Sequence, residues 1–194
     1  VKLGRKLLDV LFIVVLGAVS VTLLLAMQSY AAPAVRRYRE TRLKTNVLTA
    51  AGVPFEPADY ERVFAATVQE RTGGGLVWFQ VDSLLVYEFR GRGLWGMIEG
   101  VITLDTALTR IKNVRILAQE ETPGLGSRIA EPEYLATYND RDVTGALELT
   151  LRHKAEAANQ VDAIAGATLS SQALIDAVSQ AVQDLRAARA GGGR

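Results

Sequence analysis

The run "VLFIVVLGAVSVTLLLAM", Val10 to Met27, contains no charged residue. A helix that is apolar all round needs an apolar solvent, and the rest of this chain is too polar to supply one. With Leu7 and Leu8 before it and Tyr30 after it, the stretch approaches the roughly 20 residues that cross a hydrocarbon core. Its hydroxyl residues, Ser20 and Thr22, can bond back to carbonyls of the same helix. Lys2, Arg5 and Lys6 precede it and "AMQSYAA" follows, which are flanks a secretory signal also has. The apolar stretch is too long for a cleaved signal, so an uncleaved single-pass anchor in the lipid bilayer is expected.

Beyond Pro33 the texture changes. "VRRYRETRLKTNVLTAA", Val35 to Ala51, is dense in charge and helical in pattern, and Gly52 with Pro54 ends it. "PADYERVFAATVQ", Pro57 to Gln69, predicts a second short helix with proline at its start. "TGGG", Thr72 to Gly75, is a turn or loop. "LVWFQV" and "LLVYEFRG" then flank Asp82-Ser83 as a hairpin, and "MIEGVITLD" and "NVRILAQE" continue the β texture. "ALELTLRHK" alternates, with Leu147, Leu149 and Leu151 on one face. Leu169, Ala173, Leu174, Ala177, Val178, Ala181, Val182 and Leu185 form one stripe of a closing helix. The class is therefore α+β, a mixed sheet with flanking helices behind one transmembrane helix. The expected division is a stub and membrane helix over 1–32, a stalk helix and linker over 33–56, the globular domain over 57–188, and a frayed tail over 189–194.

Composition removes several chemistries. Lys plus Arg number 22 and Asp plus Glu 21, a net charge of +1 that offers no footprint for nucleic acid. There is no cysteine, so thiolate nucleophiles, disulfides and Cys-held zinc or iron–sulfur centres are out. The lone histidine, His153, would have to carry any triad or His-based metal site alone, and it reads as a surface or strand residue. No catalytic acid–base set and no metal site is expected.

One segment is harder to dismiss. In "VDAIAGATLSSQALIDAVSQAVQDL", Val161 to Leu185, a loop of small residues opens directly into a helix. Gly166 and Ala167 let backbone approach a ligand closely. Thr168, Ser170 or Ser171 can cap the helix. The first turn of a helix presents unpaired N–H groups and partial positive charge, which suits a phosphate. By spacing alone this is either a phosphate seat or an ordinary capped helix. The lysine of a P-loop is missing, and so is a Rossmann glycine pattern.

"DAIAGATLSS", Asp162 to Ser171, resembles the flavinylation motif of FMN-binding domains, in which aspartate precedes a Ser-Gly-Ala-Thr core. The resemblance implies that a flavin transferase joins FMN through a phosphoester to Thr168. It also implies that Asp162, Gly166, Ala167 and Thr168 are what that transferase recognises. Ala165 stands where the family usually has serine; that serine is not the attachment atom, so the linkage should survive. "EETPGLGSRI", Glu120 to Ile129, is similar to a second segment of the same family, and "GRGLWG", Gly91 to Gly96, to a third. In this order, behind a transmembrane helix, they resemble the NqrC component of the sodium-translocating NADH:quinone oxidoreductase and its relative, the RnfG component of the Rnf complex.

The same resemblance implies a set of site residues. The covalent FMN site comprises Thr168 with Gly166, Ala167, Leu169 and Ser170. A loop of Glu121, Thr122, Gly124, Leu125 and Gly126 approaches the flavin ring, with Leu125 packing on it. Leu94 and Trp95 either wall the flavin or fill the core. By the same resemblance, the chain is an electron-relay subunit of an ion-translocating oxidoreductase complex of the membrane, an enzyme as part of that complex with no independent catalysis, and the other subunits are its partners. Its domain lies on the extracytoplasmic side of a bacterial inner membrane. The count of Arg36, Arg37, Arg39, Arg42 and Lys44 behind the anchor, against Lys2, Arg5 and Lys6 before it, points to the opposite orientation. A stand-alone extracytoplasmic flavin carrier and a non-redox anchored binding module are the alternative readings.

Overall fold

The computed structural model describes residues 2–151 and 154–191, with side chains from residue 10 onward. His153 and the last three residues of the tail lie outside the described residues. Two compact units divide the chain, Val1–Leu43 and Lys44–Arg194.

The first unit is helix. α1 runs over Lys2–Ala50 and includes Pro33, so the helix continues through the proline expected to open a separate stalk. A proline here removes the N–H that would bond the carbonyl four residues back, but it does not stop a helix already formed on both sides. Thr22 Oγ1 donates to the Ala18 carbonyl at 2.8 Å, and Ser29 Oγ to that of Leu25 at 2.8 Å. Val10 to Leu25 expose Val, Leu, Ile and Phe side chains all round. By length and composition this is one helix able to cross a membrane.

The second unit starts with the last turns of α1. Val47 and Leu48 are fully buried. The helix stops where the sequence says it should. Val53 N–H donates to the Leu48 carbonyl and Gly52 N–H to that of Thr49, a Schellman closure with Gly52 at φ +72°. α2, Tyr60–Thr67, is shorter than expected, because β1 takes over at Val68–Gly73. The sheet then continues through β2 (Leu76–Val81), β3 (Leu84–Arg92), β4 (Met97–Asp105) and β5 (Ile111–Ala118).

These five strands form an antiparallel meander in sequence order. The main sheet is therefore antiparallel rather than mixed. The parallel pairing is confined to a separate two-stranded piece, β6 (Glu148–Thr150) with β7 (Gln160–Asp162). The hairpin at Asp82-Ser83 is present, with Val81 opposite Leu84. "TGGG" closes a second hairpin. Gly73 pairs with Leu76 around Gly74 and Gly75, whose φ of +55° and +80° suit a tight two-residue turn.

The alternation of side chains gives the sheet two covered faces. Leu85, Phe89, Ile98, Ile102 and Leu104 join the main core with α4, Thr168–Gly191. Leu174, Val178, Ala181, Val182 and Leu185 of α4 are buried there, whereas Leu169 is 64% exposed and leaves the expected stripe. On the opposite face, Thr103 Oγ1 (3.0 Å) and Asn113 Nδ2 (3.3 Å) donate to the Ala50 carbonyl at the end of α1. The rings of Phe64 in α2 and Phe79 in β2 meet edge to face. "ALELTLRHK" contributes only three strand residues, and Leu151 is exposed rather than aligned with Leu147 and Leu149. A 3-10 turn, Gly126–Ala130, and α3, Pro132–Ala136, link the sheet to this region.

Candidate functional site

α4 starts without a side-chain cap. Ser171 N–H donates to the Ala167 carbonyl at 2.9 Å, which makes Ala167 the N-cap, and alanine has nothing to cap with. The three hydroxyl residues expected to cap do other things. Ser171 Oγ accepts the Ile164 N–H (3.1 Å) and donates to the Ala167 carbonyl (3.0 Å), pinning the loop to the helix. Ser170 Oγ donates to Glu121 Oε2 at 2.6 Å. Thr168 is exposed at the first helical position. The N–H groups of Thr168, Leu169 and Ser170 therefore have no protein partner among the described residues. Gly166, at φ +82°, makes the turn that brings the chain to this point.

Opposite stands the loop Thr122 to Gly126. The Thr122 carbonyl accepts the N–H of Leu125 (3.2 Å) and of Ser127 (3.1 Å), and Gly124 N–H donates to Ser127 Oγ at 3.0 Å. This is the tight loop the sequence leads one to expect. The following segment is anchored by Tyr134 and Tyr138, whose rings meet edge to face at 5.8 Å. Burial holds the Tyr138 phenol well above its ordinary pKa.

Glu121 ties the pieces together. It is only 4% exposed. Its Oε1 accepts the N–H groups of Leu94 (2.7 Å) and Trp95 (3.3 Å), and its Oε2 accepts the Ser170 hydroxyl. Its own N–H donates to Gln119 Oε1 at 2.6 Å. One side chain thus joins the β3–β4 connection, the glycine loop and the first turn of α4. Room for it depends on two glycines. A Cβ on Gly93 would lie 2.3 Å from Glu121 Oε1, and one on Gly126 would lie 2.9 Å from Oε2. Neither Gly93 nor Gln119 shows a site role in the sequence. Gly93 sits inside the quoted "GRGLWG", but its reason, a carboxylate from a distant segment, is a tertiary fact.

Between these walls is an open cleft of about 390 Å³. Leu94, Thr122, Leu125, Gly126, Gly166, Ala167, Thr168, Leu169 and Ser170 line it. Nine of the residues expected from sequence are thus brought to one place. Glu121 lies behind the wall, and Gly124 and Trp95 are outside the lining. Trp95 is 71% exposed, so it is not a core residue. Asp162 is the last residue of β7. Its Oδ1 accepts the Ala155 N–H (2.6 Å) and the Thr150 hydroxyl (2.9 Å).

An α+β domain with an apolar-walled cleft at the bare start of a helix is, by architecture, a small-molecule-binding domain. Residues 93–183 match the model of the FMN-binding domain. The chain is 33% identical over 133 residues to the G component of the ion-translocating oxidoreductase complex of Methanosarcina acetivorans, covering 66% of this chain and 68% of that one. It is 32% identical over 97 residues to the C component of the Na(+)-translocating NADH-quinone reductase of Pseudomonas aeruginosa, covering 45% of this chain and 37% of that one. The solved structure of Shewanella oneidensis NqrC superposes with a TM-score of 0.63 at 22% identity, over 75% of this chain and 97% of that chain, a likeness of fold. The chain belongs to the FMN-binding family of RnfG and NqrC.

Proposed function

We propose that this chain is a membrane-anchored electron-transfer subunit with FMN bound as a phosphoester on Thr168. One observation carries the reading. The Thr168 hydroxyl stands at the uncapped start of α4, where three N–H groups lack protein partners among the described residues. A phosphate held there meets backbone donors and the positive end of the helix dipole. The cleft fits the rest of the group: about 390 Å³, walled by Leu94, Leu125 and Leu169.

When bound, FMN supplies one- and two-electron chemistry that no side chain of this domain provides. The protein's own residues bind and orient. Thr168 holds the ligand by its phosphate end, Thr122 to Gly126 close one side, and Leu94 and Leu125 exclude water from apolar ring surface. Among the described residues no group of three or more His, Asp and Glu side chains is placed to hold a metal. The domain relays electrons between partners and does not oxidise NADH by itself. It works in a multi-subunit ion-translocating complex, on the extracytoplasmic side, after loading by a flavin transferase that reads Asp162 and Gly166 to Thr168.

The test is Thr168→Val in the full chain coexpressed with a flavin transferase. Valine keeps the shape and removes the hydroxyl. Wild type should fluoresce as a denatured band and the variant should not, with both folded. A band equally fluorescent in the variant contradicts the attachment site.

A further inference from the structure

Glu121 presents a carboxylate that is buried, bonded at both oxygens and, among the described residues, without an ion-pair partner. Each of its partners is a neutral donor: two backbone N–H groups and one hydroxyl. Two backbone N–H groups point at Oε1 and one hydroxyl at Oε2, so the carboxylate serves here as an acceptor. Among the described residues, no Lys or Arg forms an ion pair with it. Two of the three donors belong to Leu94 and Ser170, which line the cleft. Gly126, also in the lining, is close enough that a Cβ there would touch Oε2. The carboxylate therefore sits immediately behind the cleft wall, out of water and within one residue of its surface.

We propose that Glu121 is a fixed negative charge that lowers the reduction potential of a flavin held in this cleft. The inference rests on the flavin reading above. Glu121 acts through the wall, as a tuning and positioning residue. Each reduction step places an electron, supplied by an external reductant, on the ring; any proton that follows comes from solvent. A neighbouring charge screened by little water opposes that added electron more strongly than it opposes the oxidised ring. The Ser170 hydroxyl and the Leu94 and Trp95 N–H groups partly offset the carboxylate and fix its position.

The experiment is a reductive titration with dithionite of the full chain, flavin-loaded and in detergent, after intact mass has established loading. Glu121→Gln keeps the size and removes the charge. Its potential should rise by the equivalent of at least tenfold in the reduction equilibrium, about 59 mV for one electron. Ser170→Ala keeps the charge and removes one of its donors, so its potential should fall. Opposite shifts are what a charge produces, whereas a loosened cleft would move both variants the same way. An unchanged or lowered potential in Glu121→Gln, or an unchanged or raised one in Ser170→Ala, overturns the proposal. If Glu121→Gln does not fold, the Ser170→Ala result alone decides it by the same criterion. Wild type lacking the FMN mass would instead overturn the flavin reading itself, before any potential is measured.

Discussion

A methyl group added at position 126 would lie 2.6 Å from Ser170 Oγ, 2.9 Å from Glu121 Oε2 and 3.0 Å from Glu121 Cβ. Neither neighbour can yield easily, because each is held by the other and Glu121 is held by two backbone donors as well. Overpacking of this kind costs about 1–3 kcal/mol. Gly126→Ala should therefore lower the thermal midpoint and loosen flavin retention. At Gly145 a Cβ meets nothing within 4 Å, and Gly145→Ala should leave the midpoint nearly unchanged. Equal stability of the two variants, by thermal denaturation, would show that the Glu121 junction is slack. At this scale the sequence is uneven. Thr168, Gly166 and the glycine loop announce themselves by type and order. Glu121 is legible only as part of a motif, since its partners at 94, 95 and 170 are far off in the chain. Asp162, proposed as a recognition residue, also has a structural part. It bonds Ala155 and Thr150, so removing it also loosens the β6–β7 pair.

Turns and strands obey local chemistry where that chemistry is strong. Gly74-Gly75 and Asp82-Ser83 make hairpins because their neighbours alternate and their backbones turn readily. β1 is hidden in the sequence because "VQERTG" is polar and exposed, as an edge strand can be. α1 hides its continuity because proline reads as a break. The β4–β5 connection is the best-capped of the hairpin ends. Asp105 accepts the Thr109 N–H (2.7 Å), the Thr109 hydroxyl (2.6 Å) and the Arg110 N–H (3.2 Å). Burial pushes its carboxyl up, but these bonds and the Lys112 charge together hold it below the ordinary aspartate value. A carboxyl lowered in the folded state stabilises it above its unfolded pKa, near 3.9. That contribution is lost as pH falls through the lowered folded value. Asp140 is lowered as well, by its hydrogen bond and ion pair with Lys112. The thermal midpoint should thus drop as acidification passes below the unfolded value of about 3.9, and the drop should be shallower in Asp105→Asn. An identical acid limb in the variant would remove Asp105 from the account.

For the molecule as a whole, Val10 to Met27 is a charge-free apolar helix surface, and none of it is buried. Lipid is the cover the composition asks for. The full chain should remain in the membrane pellet after alkaline carbonate, and its release to the supernatant would contradict an anchor. The central claim is the ester at Thr168, and it rests on a helix that begins bare beside a cleft of the right chemistry. Its most direct test is peptide mass spectrometry on flavin-loaded, membrane-extracted protein after proteolysis. The account predicts that the peptide containing Asp162 to Ser171 is heavier by one FMN less one water, with fragment ions placing the added mass on Thr168. An unmodified peptide at full yield from protein loaded in the presence of a flavin transferase, or added mass on Ser170 or Ser171 instead, would contradict it.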